Sequence, residues 1–347
     1  MPGVFDESRL DDEAALADLD GVLRPLAEAG ARVRREAAAA ADAIAGAVTA
    51  AQGEPRPRAV VAAGPDSRLL RAVLEPWCPV PFVAWPGPGL PGWAGALDLV
   101  VVLAPAGGDL GAASGVAEAV RRGCQLVVAC PRHSVVEDHA VGRHATVLPT
   151  SSGDQLATAV VMLEFLDRVD LGPETDPEAV AGALDEVAIA CAPRQDLSVN
   201  PAKMLAIALA DSVPLVWGGS VLAARAARRV SESLRRASGR ASLAADAEHL
   251  LPVISAAPVR DVFDDPFAET ESPARPVLVI LDDGSVDPTV REQRGRLLHA
   301  ATERSVRVET VSAHQPDEVA RYASLMATGT YAAAYLGVAL GGPAAAQ

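Results

Sequence analysis

Short apolar runs alternate with helical stretches along most of the chain. After a proline-marked loop at Gly53–Pro57, runs of strand length are separated by segments whose apolar residues follow helical spacing. Because these runs are apolar throughout rather than alternating, they are typical of parallel strands buried on both faces. They predict a doubly wound parallel sheet covered by helices. The runs are Ala59–Ala63, Val80–Val83, Leu97–Leu103, Cys124–Cys130 and Ala145–Leu148.

The same alternation returns in the second half of the chain, at Val213–Trp217, Pro276–Leu281 and Val306–Val311. We therefore expect an α/β protein with two αβα sandwiches and an N-terminal helical extension, which Gly30 interrupts. The stretch Leu171–Val199, with its prolines and acidic residues, is the expected bridge. The predicted organisation is N-terminal helices packing on the sheets at 1–52, a first domain at 53–170, a connecting segment at 171–200 and a second domain at 201–347.

Charge and hydropathy exclude several classes of partner. The 30 Lys and Arg residues against 45 Asp and Glu give a formal charge of −15, which repels phosphate backbones and anionic lipids. No apolar run approaches the roughly 18 residues that a bilayer requires. The acidic N-terminus lacks the basic start of a secretory signal. We expect no nucleic-acid partner, no membrane association and a cytoplasmic location.

Neither a metal nor a cofactor is predicted. The segment Cys130–His133 offers a thiol and an imidazole, but no spacing matches a known zinc frame. A literal G-x-G-x-x-G at Gly87–Gly92 contains two prolines and precedes no helix, so it does not fit a dinucleotide site. The cysteines form no C-x-x-C pair and are interpreted as free thiols, mostly buried: Cys78, Cys124, Cys130 and Cys191.

The candidate chemistry lies in three turns between a strand and the next helix. Such turns present backbone N–H groups and a helix N-terminus, which suit a phosphate, and small residues let it approach closely. The candidate phosphate ligands are Gly64 and Ser67, Gly107 and Gly108, and Gly219 and Ser220.

A purely structural role is the alternative for these turns. Ser67 and Asp109 are also suited to cap the helices that follow them. The carboxylate of Asp109 would moreover repel a phosphate. The acidic pair Asp282 and Asp283, which closes another strand, is interpreted as a solvated turn, although metal or ribose binding is an alternative there.

The order of several segments resembles the bifunctional phosphoglucose/phosphomannose isomerase family of the sugar-isomerase (SIS) superfamily. The similar segments are Asn200–Ala210, Val213–Gly218, Ala223–Arg229 and Tyr322–Leu336. The chain is identified as a degenerate, actinobacterial-type member. The resemblance implies two SIS domains, a carbohydrate-derivative ligand in carbohydrate metabolism, and a homodimer.

The departures from the family fall on its functional residues. Where the family has a Gly-Gly-Ser loop, this chain keeps only Gly64 and Ser67, and the family's Ser/Thr-rich phosphate loop is replaced by residues 106–110. Arg236 stands where the family has its catalytic Glu, and an arginine cannot shuttle a proton as a carboxylate does. Glu232 lies one helical turn earlier and is the candidate substitute. His249 corresponds to the family's ring-opening His.

Three functions remain open at this point. The first is a SIS-domain protein that binds a sugar phosphate or related carbohydrate derivative, with weak or no isomerase activity, a pseudoenzyme. The second is an active aldose–ketose isomerase on glucose 6-phosphate and mannose 6-phosphate, in which His249 opens the ring and Glu232 is the base. The third is a structural or partner-binding protein whose former pocket is filled by Pro105 and Leu110.

Overall fold

The computed structural model describes residues 4–258 and 274–341. A 3-10 turn at Glu7–Leu10 precedes the regular elements. In chain order these are α1 (Glu13–Ala17), α2 (Asp20–Ala27), α3 (Ala29–Ala51), β1 (Val60–Ala63), α4 (Ser67–Leu74), β2 (Phe82–Trp85), β3 (Leu99–Leu103), α5 (Leu110–Arg122), β4 (Gln125–Pro131), α6 (Val135–His139), β5 (Ala145–Thr150), α7 (Gln155–Arg168), α8 (Pro177–Ala190), α9 (Pro201–Ala208), β6 (Ser212–Gly218), α10 (Val221–Ser238), β7 (Leu243–Ala244), α11 (Ala247–Ser255), β8 (Arg275–Asp282), α12 (Pro288–Glu303), β9 (Arg307–Ser312) and α13 (Glu318–Ala339).

The chain divides into two compact units, and the boundary between them falls inside α8. The N-terminal unit is Ala29–Gly182, and the C-terminal unit combines Met1–Glu28 with Ala183–Gln347. The predicted N-terminal helical segment is thus shared between the units. The domain bounds at 1–52, 53–170, 171–200 and 201–347 remain predictions from the sequence.

The N-terminal unit contains a five-stranded sheet in the order β2-β1-β3-β4-β5, and all neighbouring strands are parallel. This is the strand order of one common doubly wound fold. The strands β1 and β3 are buried along their whole length, as their uninterrupted apolar sequences predict. One apolar cluster extends from β1, β3 and β4 to the inner side of α5.

The C-terminal unit repeats this design with one strand fewer. Its sheet has the order β7-β6-β8-β9, again with parallel neighbours only. A second apolar cluster joins β6 and β8 to α11 and α12, with Trp217 and Ile280 among its members. The predicted fold class, two doubly wound parallel-sheet α/β domains, is confirmed.

The expected interruption at Gly30 is wrong. Gly30 lies in the first turn of α3, and the chain instead breaks at Glu28, the C-terminal cap of α2. A glycine inside a helix costs only about 1 kcal/mol, which tertiary packing of α3 can exceed. Such packing is present, because the buried carboxylate of Glu36 accepts hydrogen bonds from the backbone N–H of Ser151 at 2.9 Å and of Ser152 at 2.5 Å.

The cysteines are free, and Cys124, Cys130 and Cys191 are buried. Burial raises the pKa of the Cys191 thiol to about 12. Because only the thiolate is an effective nucleophile, we expect iodoacetamide at about pH 8 to leave Cys191 unmodified in the folded protein and to modify it in urea. Peptide mass spectrometry measures both states. Rapid labelling of Cys191 without denaturant would contradict its burial, and the half-buried Cys78 serves as the internal comparison.

Candidate functional site

Two of the three candidate turns lie side by side at the carboxyl edge of the five-stranded sheet. They follow β1 and β3, which are parallel neighbours. Gly64 has a φ of +89°, a conformation that favours glycine, and a Cβ atom there would lie 3.4 Å from Cα of Ala112 in the first turn of α5. The fold therefore brings Gly64 and Ser67 close to the turn that contains Gly107 and Gly108.

Ser67 is the most informative residue of this edge. It is 1% exposed, and its backbone N–H donates to the carbonyl of Gly64 at 3.1 Å. Its hydroxyl has no hydrogen-bond partner among the described residues. Ser67 does not cap α4 as expected, because the N-terminal cap position is taken by Asp66. The side chain of Asp66 makes no capping hydrogen bond. Instead, Asp66 accepts a hydrogen bond from the side-chain amide of Gln155.

The two glycines of the second turn differ in what surrounds them. Gly107 has a φ of +70°, and a Cβ atom there would lie 2.5 Å from Cβ of Ser134. The absence of a side chain at Gly107 therefore lets the backbone of this turn pack closely against Ser134. The N–H of Gly107 donates to Ala104 at 2.9 Å. Gly108 faces open space, and among the described residues its N–H has no acceptor.

Asp109 caps α5, as its position in the sequence predicts. Its carboxylate accepts a hydrogen bond from the N–H of Ala112 at 2.6 Å. The N-terminus of α5 is therefore already capped by an anionic group, and the N–H of Gly108, just before this cap, is an unoccupied donor.

The third candidate turn lies in the C-terminal unit and is more crowded. Ser220 caps α10 by accepting from the N–H of Ala223 at 3.0 Å, and its hydroxyl donates to the carboxylate of Asp283. A Cβ atom on Gly219 would lie 2.2 Å from Cγ1 of Val290. A phosphate at this turn would meet a carboxylate and packed side chains. The roles of Gly219 and Ser220 remain predictions.

Sequence reasoning missed the pairing of Ser220 with Asp283, although a signal for it exists. In the register of the sheet, Gly218 of β6 pairs with Leu281 of β8. The residues that follow two parallel neighbours meet at the same edge, so Ser220 and Asp283 are placed near each other by the strand pairing alone. Asp282 forms an ion pair with Arg294 at 2.5 Å.

The candidate catalytic residues are both on helices of the C-terminal unit. Glu232 lies on α10, and its two carboxylate oxygens accept from Arg229 at 2.8 Å and from Arg236 at 2.6 Å. His249 is exposed on α11. Among the described residues, no hydrogen bond or ion pair joins His249 to Glu232. Next to His249, the hydrogen bond from Arg296 lowers the pKa of Glu248.

The described part of the chain offers neither a metal cluster nor a membrane span. Residues 4–258 and 274–341 contain no group of three or more His, Cys, Asp or Glu side chains suited to hold a metal ion. Within the same ranges, no helix has the length and apolar character needed to cross a membrane.

Comparison with known proteins gives one family match, in the second half of the chain. Residues 198–344 match the model of the bacterial phospho-glucose isomerase C-terminal SIS domain. No curated protein matches the sequence.

Solved structures resemble the chain over nearly its whole length. Tagatose-6-phosphate ketose/aldose isomerase from Escherichia coli has a TM-score of 0.63 at 13% identity, covering 94% of each chain. A glucose-6-phosphate isomerase like protein from Thermus thermophilus has a TM-score of 0.57 at 18% identity, covering 97% of this chain and 95% of the other. Glucose-6-phosphate isomerase from Chlamydia trachomatis has a TM-score of 0.59 at 13% identity, with 90% of this chain and 70% of that one covered.

The fold is thus the SIS fold of the phosphosugar isomerases. More specifically, residues 198–344 are similar to the C-terminal SIS domain of bacterial phosphoglucose isomerases.

Proposed function

We propose that this protein binds a sugar phosphate or a related carbohydrate derivative at the carboxyl edge of the five-stranded sheet, and that it has weak or no isomerase activity. The observation that carries the proposal is the hydroxyl of Ser67, which is buried beside Gly64 and has no hydrogen-bond partner among the described residues. A buried hydroxyl without a partner is costly, and a ligand oxygen would satisfy it.

The two adjacent turns supply complementary groups for such a ligand. The hydroxyl of Ser67 and the N–H of Gly108 are donors for phosphate oxygens, and Gly108 leaves room for close approach. The carboxylates of Asp66 and Asp109 lie in the same turns and are acceptors for sugar hydroxyls. Since these carboxylates also repel a phosphate dianion, we expect modest affinity.

The environment of Glu232 supports the second part of the proposal. General base catalysis requires a carboxylate that can reach the substrate proton. Here both oxygens of Glu232 are engaged by guanidinium groups, and one of these belongs to Arg236, the residue at the family's base position. Weak or absent isomerisation follows. The homodimer and the cytoplasmic location remain predictions.

Replacing Ser67 with alanine tests the binding site. We expect Ser67→Ala to weaken binding of glucose 6-phosphate or fructose 6-phosphate by about tenfold, because a hydrogen bond to a charged phosphate is lost. Folding stability should be unchanged or slightly higher, since the variant removes an unsatisfied buried hydroxyl. Isothermal titration calorimetry and thermal unfolding measure the two effects.

The matched control is Ser220→Ala in the other unit. It removes a helix cap and the bond to Asp283, so it should cost about 1 kcal/mol of stability while leaving sugar-phosphate affinity unchanged. If the wild type binds neither sugar phosphate, or if Ser67→Ala binds as well as the wild type, the proposed site is wrong.

A coupled assay with glucose 6-phosphate and mannose 6-phosphate tests the second part of the proposal. Turnover by the wild type that is lost in the His249→Ala variant would contradict weak or absent catalysis.

A further inference from the structure

A cavity of about 680 Å³ opens at the amino-terminal edge of the five-stranded sheet, within the N-terminal unit. Its lining includes Leu99 and Gln125, the first residues of β3 and β4, and Thr146 near the start of β5. The ends of α3 and α7 contribute Ala47 and Phe165. Because the strands are parallel, this cavity lies at the opposite end of the sheet from Gly64 and Ser67. It is a different site from the one proposed above.

The cavity is rich in positive charge, on a chain whose formal charge is −15. Arg56, Arg58 and Arg143 line it, with Glu54 as the single acidic residue of the lining. Arg58 is committed to Asp98 at 2.6 Å. Within the described ranges, Arg56, Arg143 and Glu54 form no ion pair, and Arg143 donates only to the ring nitrogen Nε2 of His144 at 3.1 Å. Two guanidinium groups are thus left without an anion.

Further uncommitted polar groups line the same cavity. The side chains of Gln125 and Thr146 are half-buried and form no hydrogen bond with any residue that the structure describes. The remaining walls are largely apolar, and Phe165 and Leu171 are each 3% exposed. A cavity of this size, with apolar walls and a few polar groups that lack partners, has the composition of a small-molecule site.

We propose that this cavity binds a small organic anion with an apolar body. Arg56 and Arg143 hold the charged group, since a guanidinium donates well-directed hydrogen bonds to phosphate or carboxylate oxygens. Gln125 and Thr146 add neutral hydrogen bonds, and the apolar body lies against Phe165. A free sugar phosphate is a poor fit, because its hydroxyls would face the apolar walls without partners.

Phenyl phosphate is the probe that combines both required features. We expect it to bind saturably in isothermal titration calorimetry, whereas inorganic phosphate lacks the apolar body, benzyl alcohol lacks the charge, and each should bind at least about tenfold more weakly. The double variant Arg56→Gln/Arg143→Gln should weaken phenyl phosphate binding by at least about tenfold. Both arginines are exposed and unpaired within the described residues, so the variant is expected to fold, which its thermal unfolding verifies.

Two control variants distinguish binding in this cavity from binding elsewhere on the N-terminal unit. Arg121→Gln removes an arginine of the same unit that is 70% exposed and outside the cavity, and it should leave binding unchanged. Ser67→Ala should also bind phenyl phosphate normally, so a failure of the sugar-phosphate proposal would not affect this one. Absent or non-saturable binding, equal binding of inorganic phosphate, or undiminished binding by the folded double variant would overturn the proposal. Loss of binding in Ser67→Ala would also overturn it, because the probe would then occupy the other edge of the sheet.

Discussion

Replacing Gly218 with alanine is expected to destabilise the C-terminal unit by at least about 3 kcal/mol, because the added methyl group has no space. Gly218 is the last residue of β6, and its Cβ atom would lie 2.2 Å from both the carbonyl carbon and the carbonyl oxygen of Ala223. These are backbone atoms in the first turn of α10, so no side-chain rotation relieves the overlap. Strand and helix would have to move apart. Urea denaturation followed by circular dichroism measures the loss.

Gly295 provides the matched control in the same unit. It lies exposed on α12, and its Cβ atom would meet nothing within 4 Å. Gly295→Ala should therefore stabilise the helix by up to about 1 kcal/mol. A Gly218→Ala variant as stable as the wild type would show that the contact between β6 and α10 is looser than described.

Replacing Lys203 with methionine is the second change expected to have a large effect, a loss of about 3 kcal/mol. Lys203 is fully buried, and it is the only lysine of the chain. Its ammonium group donates to Asp11 at 2.7 Å and to the carbonyls of Pro193 and Gln195 at 3.0 and 3.1 Å. Methionine preserves most of the volume but leaves these acceptors without their donor. Urea denaturation again gives the free energy of unfolding.

Asp11→Asn is the control for Lys203→Met. The Asp11 side chain is 58% exposed, so the loss of its charge should cost less than about 1 kcal/mol. If the two variants cost the same, the exposed ion pair and not the buried carbonyl contacts would be the source of the stability. The unique lysine gives a second measurement, because an amine-reactive reagent should modify Lys203 only after unfolding.

Much of the fold could be predicted from local sequence. The strand predicted at Ala59–Ala63 is found at Val60–Ala63, and the strand predicted at Val306–Val311 is found one residue later, at Arg307–Ser312. Apolar runs are sufficient for this, because a parallel strand buried on both faces is apolar throughout. Short elements with weak patterns were missed, such as α6 with five residues and β7 with two.

The candidate site could be predicted only in part. The turns that follow β1 and β3 were located correctly as strand-to-helix turns, since glycine and helix-capping residues mark them in the sequence. Sequence alone could not tell that the hydroxyl of Ser67 lacks a hydrogen-bond partner whereas that of Ser220 is bound to Asp283. Both serines lie in turns that contain glycine, and their difference comes from residues distant in the chain.

The sequence by itself determined the α/β class, the repeated parallel design and the position of the phosphate-type turns, because hydropathy periodicity and turn residues act locally. Only the tertiary structure decided which polar groups are left without partners. Lys203 meets Asp11 across 192 residues, and Arg56 and Arg143 come to line one cavity although they are distant in the chain. Whether a polar or charged group finds a partner depends on how whole helices and strands pack together, and no single segment of the sequence encodes this packing.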